Sequence, residues 1–232
     1  MPKDPRRIWI TRAEPGAAET ARRVREMGLE PVVAPLLEVH TLSHSALDLR
    51  DVAALAFTSV NGVRAFAAAE PSRGLPVFAV GETTARAARQ AGFGSVTSTN
   101  GDVGALAKGI ASRAADMSGV ILHPGAAEPA GDLAGDLRAL GLAARSLALY
   151  ETRICDPGPA LIGALPDLEA ALVHSPRAGR ALAAFLRDHP APNLRLLGIS
   201  AAALQPLDET PCAGREAAAF PLEAELLNLL GS

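Results

Sequence analysis

The feature that most constrains the fold of this chain is an internal repeat, in which the second half of the sequence resembles the first. Residues 8–39 resemble residues 120–152, at an offset of about 113 positions. Residues 54–64 resemble residues 170–180. Residues 79–81 resemble residues 196–198, where the offset is about 117. A chain built from two similar halves most simply forms two similar units, so we predict two small lobes rather than one large domain.

Each half alternates short apolar runs with helical patterns that begin at a capping residue or proline and end at glycine. Residues 8–11 predict a strand, the helix after it begins near Pro15 and ends at Gly28, and residues 31–39 predict the next strand. Such alternation is typical of parallel sheets covered by helices, which predicts an α/β fold. Between two such lobes we expect a cleft at the carboxyl ends of the strands, where ligands usually bind. The other predicted strands are residues 54–57, 76–80, 120–122, 143–151, 169–174 and 194–199, and the other predicted helices include residues 82–91, 132–140, 176–188 and 222–230.

Composition argues against several classes of protein. With 49% hydrophobic residues among 232 the chain can bury a core, and no run reaches the roughly 18 apolar residues of a membrane span. A net charge of -3 and only 3% aromatic residues argue against nucleic acid as a partner. Cys155 and Cys212 are the only cysteines and lie far apart, which offers neither a disulfide framework nor a thiolate metal site. The first residues lack an apolar signal core, so we expect a cytoplasmic protein that does not enter a membrane.

Polar residues follow several of the predicted strands, where the first N–H groups of the next helix are free to bind anions. A serine or threonine at such a place can instead be a simple N-cap, so both roles stay open for each hydroxyl. Their recurrence across the repeat favours anion binding. No GxGxxG or GxxxxGKS/T motif is present, which argues against dinucleotide and nucleoside-triphosphate enzymes. The four segments are Thr11-Arg12, Thr58-Ser59-Val60-Asn61, Gly81-Glu82-Thr83-Thr84 and His174-Ser175-Pro176.

Two histidines and one tyrosine lie at the ends of predicted strands. His123 and His174 can each donate a proton toward a ligand or merely bond a loop carbonyl, and the second role is the commoner. His40 and His44 have i, i+4 spacing, but their segment has no helical periodicity, so we predict no metal site there. No GxSxG motif supports a serine nucleophile. Tyr150 is the only tyrosine, and its phenol stays protonated near neutral pH as a hydrogen-bond donor, although packing alone explains many such tyrosines.

Five segments of the sequence together resemble one known family. They are Ile10-Thr11-Arg12-Ala13-Glu14-Pro15, Val33-Ala34-Pro35-Leu36-Leu37-Glu38, Phe57-Thr58-Ser59-Val60-Asn61-Gly62-Val63-Arg64, Ala79-Val80-Gly81-Glu82-Thr83-Thr84-Ala85 and Leu149-Tyr150-Glu151-Thr152. In this order and spacing, over nearly the whole chain, they resemble the uroporphyrinogen-III synthase family. The resemblance implies two flavodoxin-like lobes with parallel sheets, joined by a two-stranded crossing at residues 35–41 and 147–153. One lobe would comprise residues 1–38 with 152–232, and the other residues 39–151.

The same resemblance implies a function. The family takes hydroxymethylbilane, a linear tetrapyrrole with eight carboxylates, and closes it in heme biosynthesis with inversion of ring D and loss of water. It needs neither a metal nor an organic cofactor, and beyond this small-molecule substrate we expect no partner and a monomer. The family's tyrosine maps onto Tyr150, as the proton donor to the departing hydroxyl. The residues expected to bind the substrate are Arg12, Thr58, Ser59, Asn61, Gly81, Thr83, Thr84, His123, Gly125, His174, Ser175, Gly198 and Ser200.

A second class of function fits the same sequence: a two-lobed protein that binds or senses a small molecule and has no catalytic activity. Turnover of hydroxymethylbilane distinguishes the two. The chain also departs from the family pattern in two places. The loop over residues 124–130 has no basic residue, whereas relatives often place one there. Ser200 stands where the family more often has a threonine pair like Thr83 and Thr84.

Overall fold

The computed structural model describes residues 5–44, 46–113 and 117–231. The described residues divide into two compact units. Unit 1 is the chain up to Glu38 together with the chain from Arg153 onward, and unit 2 is Val39–Thr152. Each unit is built on a sheet of its own. None of the described helices is long and apolar enough to cross a membrane.

Strands and helices alternate along the described chain, as the sequence predicts. The strands are β1 (Arg7–Ile10), β2 (Glu30–Val33), β3 (Leu37–Thr41), β4 (Val52–Phe57), β5 (Val77–Ala79), β6 (Val96–Ser98), β7 (Val120–Ala126), β8 (Ala144–Ile154), β9 (Leu168–Val173), β10 (Arg195–Gly198) and β11 (Gly214–Ala217). The helices are α1 (Gly16–Glu26), α2 (Val60–Ala69), α3 (Glu82–Gln90), α4 (Val103–Ala111), α5 (Leu133–Ala139), α6 (Pro159–Ala164), α7 (Pro176–Asp188), α8 (Ala201–Leu204) and α9 (Glu223–Asn228).

The sheet of unit 1 has the strand order β11-β10-β9-β1-β2, and every neighbouring pair is parallel. Counted with β1 and β2 first, this is the flavodoxin-like order 2-1-3-4-5. Ile8 and Ile10 pack on one face of the sheet in a cluster that includes Leu226 of α9. Trp9 packs on the other face in a cluster that includes Leu182 of α7. Because both faces are covered, β1 is apolar from Ile8 to Ile10 rather than alternating.

The sheet of unit 2 has the order β3-β8-β7-β4-β5-β6, and the strands from β8 to β6 are parallel. These five strands repeat the flavodoxin-like order, with β7 and β8 in the places of β1 and β2. The repeat in the sequence is therefore a repeat in topology, which confirms the predicted α/β fold of two similar lobes.

The chain passes between the two units twice, once in β3 and once in β8, which are neighbours in the sheet. Leu42 N–H donates to the carbonyl of Leu149, and Cys155 N–H donates to the carbonyl of Leu36. The partner positions run in opposite directions along the chain, so β3 and β8 are antiparallel.

Capping side chains stand at the start of several helices. Ser59, Asp102 and Ser175 each accept a hydrogen bond from the backbone N–H three residues later. These side chains satisfy N–H groups that have no partner within the helix. Pro176 then occupies the first position of α7, where a missing N–H costs nothing, and the helix has the predicted bounds.

The extent of several elements was predicted wrongly. The single strand expected over residues 31–39 is two strands, β2 and β3, because Pro35 has no N–H with which to continue a ladder. Ala34 and Leu36, on either side of it, donate their N–H groups to carbonyls at the end of β1. The strands β6 and β11 were missed because they are short edge strands with half-buried or exposed, mostly polar residues, so no apolar run indicates them. The short helices α6 and α8 were missed because they have too few residues to produce a periodic pattern.

The single tryptophan offers a test of the core of unit 1. Trp9 is fully buried, its Nε1–H donates to the carbonyl of Ala34 at 2.7 Å, and its ring meets the Phe185 ring edge-on at 5.4 Å. We expect Trp9→Phe to lower the free energy of unfolding by about 2–3 kcal/mol, because it leaves a small cavity and an unpaired buried carbonyl. Urea unfolding followed by circular dichroism measures the change.

The matched control is Phe185→Leu, which keeps the hydrogen bond of Trp9 and removes the ring contact. We expect it to cost about 1 kcal/mol. Equal stability of Trp9→Phe and the unmodified protein would contradict the assignment of this bond to the core.

Candidate functional site

The strand order reverses once in each unit, between β7 and β4 in unit 2 and between β1 and β9 in unit 1. At such a switch point the loops leave the two strands on opposite sides, which opens a crevice at their carboxyl ends. In unit 2, Thr58 and Ser59 follow β4, and His123 lies in β7. In unit 1, Arg12 follows β1 and His174 follows β9. Five of the predicted site residues therefore lie at the switch point of their own unit.

Ser59 contacts both the helix that it caps and the only tyrosine of the chain. Its Oγ accepts a hydrogen bond from Gly62 N–H at 3.0 Å and lies 2.9 Å from Tyr150 Oη. Tyr150 is 8% exposed and packs in the apolar cluster of unit 2. Residue 62 must be a glycine, because a Cβ there would lie 2.7 Å from the carbonyl oxygen of Pro124. The close approach of α2 to β7 thus holds Ser59 against the phenol.

His123 lies beside this pair. It is 3% exposed, and its Nε2 lies 3.1 Å from Thr58 Oγ1. Burial lowers the pKa of His123, and the more distant negative charge of Asp132 opposes this only in part. Gly125 packs against the imidazole, since a Cβ at that position would lie 3.1 Å from Nε2. The imidazole is therefore neutral at neutral pH and confined in one place.

The start of α3 provides the remaining predicted residues of unit 2. Gly81 is the N-cap and offers no side-chain acceptor, so the first N–H groups of the helix have no capping partner. A Cβ at Gly81 would meet open space. Thr83 is exposed, Thr84 is buried, and Asn61 in the first turn of α2 is half-buried. This helix start has the free donors that an anion needs.

In unit 1 the predicted residues surround a carboxylate that the sequence did not single out. Arg12 Nη1 donates to Glu223 Oε2 at 2.7 Å, and the hydroxyl of Thr20 donates to Glu223 Oε1. His174 Nε2 lies 3.5 Å from Glu223 Oε2. The Glu223 side chain is only 17% exposed, and that of His174 only 7%. Glu223, from helix α9, thus contacts the predicted residues at the switch point of unit 1.

The charges in this cluster shift two pKa values. Burial raises the pKa of Glu223, but the contacts with His174 and Thr20 and the charge of Arg12 outweigh it and lower the pKa to about 2. Burial lowers the pKa of His174, and Arg12 acts in the same direction while Glu223 opposes both. Glu223 is therefore ionised and His174 neutral at neutral pH.

The last predicted residues of unit 1 have structural roles in the fold. Ser175 caps α7 and Ser200 caps α8, each by accepting a backbone N–H three residues later. Gly198 allows Leu204 to pack against the end of β10, because a Cβ at residue 198 would lie 2.4 Å from Leu204 Cγ. The capping hydroxyls keep their hydrogens for a further bond.

Sequence reasoning missed Glu223 and Thr20. Glu223 opens the last predicted helix, where an acidic residue is ordinary, and Thr20 lies on the buried stripe of α1. Their pairing joins positions 203 residues apart, and no local pattern indicates it. Within the described ranges, no group of three His, Cys, Asp or Glu side chains could hold a metal ion.

Comparisons of this chain with known proteins, by sequence and by structure, agree with one another. The sequence model of the family described as "Uroporphyrinogen-III synthase HemD" matches residues 18–214. The "Porphyrin biosynthesis protein HemD" of Ruminiclostridium josui is 29% identical over 161 residues, which is 63% of this chain and 32% of that protein. The alignment therefore spans about a third of the length of this curated relative.

Two solved structures have the same fold. The uroporphyrinogen-III synthetase of Helicobacter pylori superimposes with a TM-score of 0.64 at 18% identity, over 97% of this chain and 98% of that one. A mutant uroporphyrinogen III synthase of Thermus thermophilus superimposes with a TM-score of 0.55 at 16% identity, over the same shares of the two chains. Because the family model covers most of the sequence and these structures share its fold, the chain belongs to the uroporphyrinogen-III synthase family.

Proposed function

We propose that this protein is a uroporphyrinogen-III synthase, which cyclises hydroxymethylbilane with inversion of ring D and loss of water in heme biosynthesis. The observation that carries the proposal is the hydrogen bond between Ser59 and Tyr150 at the switch point of unit 2. Family membership supplies the reaction, and this pair supplies a proton donor for it. We place the reaction in the cytoplasm and assign it to a monomer, as the sequence leads us to expect.

The capping bond leaves the hydrogen of Ser59 free for a second partner. Gly62 N–H already donates to Ser59 Oγ, so Ser59 can pass its own hydrogen to Tyr150 Oη. The phenol hydrogen of Tyr150 then remains for the substrate. In this arrangement Ser59 stabilises the phenolate that forms when Tyr150 gives up its proton, because a hydrogen bond to the charged form favours that form.

The reaction needs one proton donor and returns the proton at its end. When the C–O bond at the ring A methylene breaks, its electron pair stays on oxygen, Tyr150 protonates that oxygen, and water leaves. The methylene carbon then bonds to the substituted carbon of ring D to give a spiro intermediate. The bond from this carbon to the methylene between rings C and D breaks, and that methylene bonds to the unsubstituted carbon of ring D, which loses its hydrogen. The proton lost from carbon in the last step returns to the phenolate of Tyr150, so no co-reactant is consumed.

The two buried histidines are poor candidates for the same task. Burial lowers the pKa of both His123 and His174, so each imidazole carries no acidic proton at neutral pH. Tyr150, by contrast, has a phenol O–H that can donate. The proposal therefore assigns the proton transfer to Tyr150 and gives the histidines other roles.

Each unit has donors for carboxylates at the carboxyl ends of its own strands. In unit 2 these are the N–H groups at the start of α3 and the hydroxyls of Thr58 and Thr83. In unit 1, the side chain of Arg12 is about a third exposed. Within the described part of the chain, it donates hydrogen bonds to Glu223 and Thr20, both from Nη1. The positive charge of this guanidinium favours a carboxylate nearby, while its Nε and Nη2 atoms lie against Gly16.

Replacing Tyr150 by phenylalanine tests the proton donor. We expect Tyr150→Phe to lower kcat by about a hundredfold, because a positioned general acid contributes at least that much. The remaining product should still be the inverted isomer, since the fold of the substrate depends on other residues. Kinetics with freshly generated hydroxymethylbilane and chromatographic separation of the two isomers give both numbers. Full kcat in a folded Tyr150→Phe variant would remove Tyr150 from the mechanism, and no turnover by the unmodified protein would favour a binding or sensing function.

A pair of capping variants separates catalysis from helix stability. Ser59→Ala and Asp102→Ala each remove an N-cap bond in unit 2, at a cost of about 1 kcal/mol. Of these two residues, only Ser59 contacts the phenol of Tyr150. We expect kcat to fall about fivefold to tenfold in Ser59→Ala, because this variant loses one hydrogen bond to the phenol. In Asp102→Ala we expect kcat to stay unchanged. Equal kcat values in the two variants would mean that the Ser59 contact does not assist Tyr150.

The lowered pKa of Glu223 predicts a pH dependence of stability in unit 1. Its folded pKa of about 2 lies below the ordinary 4.5, so the stabilisation is fully present above pH 4.5 and is lost as the pH falls toward 2. The effect is on the order of 2–3 kcal/mol. Urea unfolding across this range, followed by Trp9 fluorescence, measures it. We expect Glu223→Gln to flatten the profile and Glu225→Gln, in the same helix, to leave it unchanged; identical profiles for both variants would contradict the assignment.

A further inference from the structure

The imidazole of His123 has two ring nitrogens that can form hydrogen bonds, and only one of them has a partner among the described residues. Its Nε2 lies 3.1 Å from Thr58 Oγ1. Its Nδ1 is buried and has no hydrogen-bond partner in the described part of the chain. The whole residue is 3% exposed. One ring nitrogen therefore stays unsatisfied in either neutral tautomer.

The two tautomers differ in what they leave unpaired. If Nδ1 carries the hydrogen, a buried N–H donor has no acceptor, and Nε2 must accept the hydrogen of Thr58. If Nε2 carries the hydrogen, Nε2 donates to Thr58 Oγ1, and only a lone pair on Nδ1 stays unpaired. Buried N–H groups without an acceptor are rarer in proteins than acceptors without a donor. The second tautomer is therefore the favoured one.

From this we propose that His123 is a positioning residue, which donates from Nε2 to Thr58 and so turns the Thr58 hydroxyl into a donor toward a carboxylate of the substrate. The naming of the substrate rests on the proposed function, whereas the direction of the hydrogen bond does not. Thr58 is half-buried and directly precedes Ser59, which contacts Tyr150.

The neighbouring residues confine the imidazole to this role. Gly125 leaves room for the ring, since a Cβ there would lie 3.1 Å from Nε2. Burial disfavours the charged form of the imidazole, which keeps a single N–H on the ring. His123 lies in β7 and Thr58 directly follows β4, and these two strands are adjacent and parallel, so the sheet holds the two residues close together. The bond to Thr58 is thus built into the switch point.

Nuclear magnetic resonance of the ligand-free protein decides the direction of the bond. Long-range proton–nitrogen correlation of the histidine rings distinguishes the two neutral tautomers and the imidazolium. Comparison with His123→Gln identifies the signals of His123 among those of the five histidines. We expect the Nε2–H tautomer at pH 7.5. The Nδ1–H tautomer or an imidazolium would overturn the proposal, whatever the activity of the protein.

A double-mutant cycle tests whether His123 acts through Thr58. We expect His123→Leu and Thr58→Val each to raise KM for hydroxymethylbilane about tenfold, the loss of one hydrogen bond, with a smaller change in kcat. The double variant should have the KM of Thr58→Val alone, because the two changes remove one interaction. Multiplication of the two effects would overturn the proposal.

Conservative variants separate positioning from packing. His123→Gln can place an amide N–H near the position of Nε2, and Thr58→Ser keeps the hydroxyl, so we expect both to stay within about threefold of the unmodified KM. If His123→Leu does not fold, the His123→Gln and Thr58→Val variants still decide the matter. A KM in His123→Gln as high as in Thr58→Val would overturn the proposal. If the unmodified protein does not turn over hydroxymethylbilane, the proposed function fails, while the resonance experiment still determines the tautomer.

Discussion

Parallel strands impose the constraint on which the rest of this structure depends. A parallel neighbour can be reached only by a crossover, so the parallel strands of a sheet all enter it from the same edge and leave from the opposite one. All the loops that follow the strands of a unit therefore lie along one edge, beside the starts of the next helices. This is why Thr58, His123 and Tyr150, which are far apart in the sequence, lie together in unit 2.

The helix starts at this edge also decide how the hydroxyls behave. The first N–H groups of a helix require an acceptor, and Ser59, Ser175 and Ser200 all supply one. A serine that accepts a backbone hydrogen keeps its own hydrogen for a second partner. For Ser59 that partner is Tyr150, which lies 2.9 Å away. The capping role and the functional role are thus one arrangement, and the two interpretations of these serines do not exclude each other.

The fold could be predicted largely from the sequence because its signals are local or repeated. The repeat predicts two lobes, and capping residues such as Ser175 predict where helices begin. The interruption at Pro35 and the short strands β6 and β11 were missed, because pairing with a neighbour rather than local pattern forms them. The candidate site was less predictable. Tyr150 and Ser59 could each be selected, but their contact joins positions 91 residues apart, and the role of Glu223 depends on a contact across 211 residues.

Charge distribution in the two units separates binding from chemistry in the proposed reaction. Substrate and product carry the same carboxylates, so contacts to those groups stabilise the bound reactant and the transition state alike. Such uniform binding lowers KM without raising kcat. Arg12, already paired with Glu223, belongs to this class, as do the N–H groups at the start of α3. The departing hydroxyl, by contrast, gains negative charge on its oxygen as the C–O bond breaks. A donor aimed at that oxygen would raise kcat, and we propose the hydrogen-bonded phenol of Tyr150 for this role.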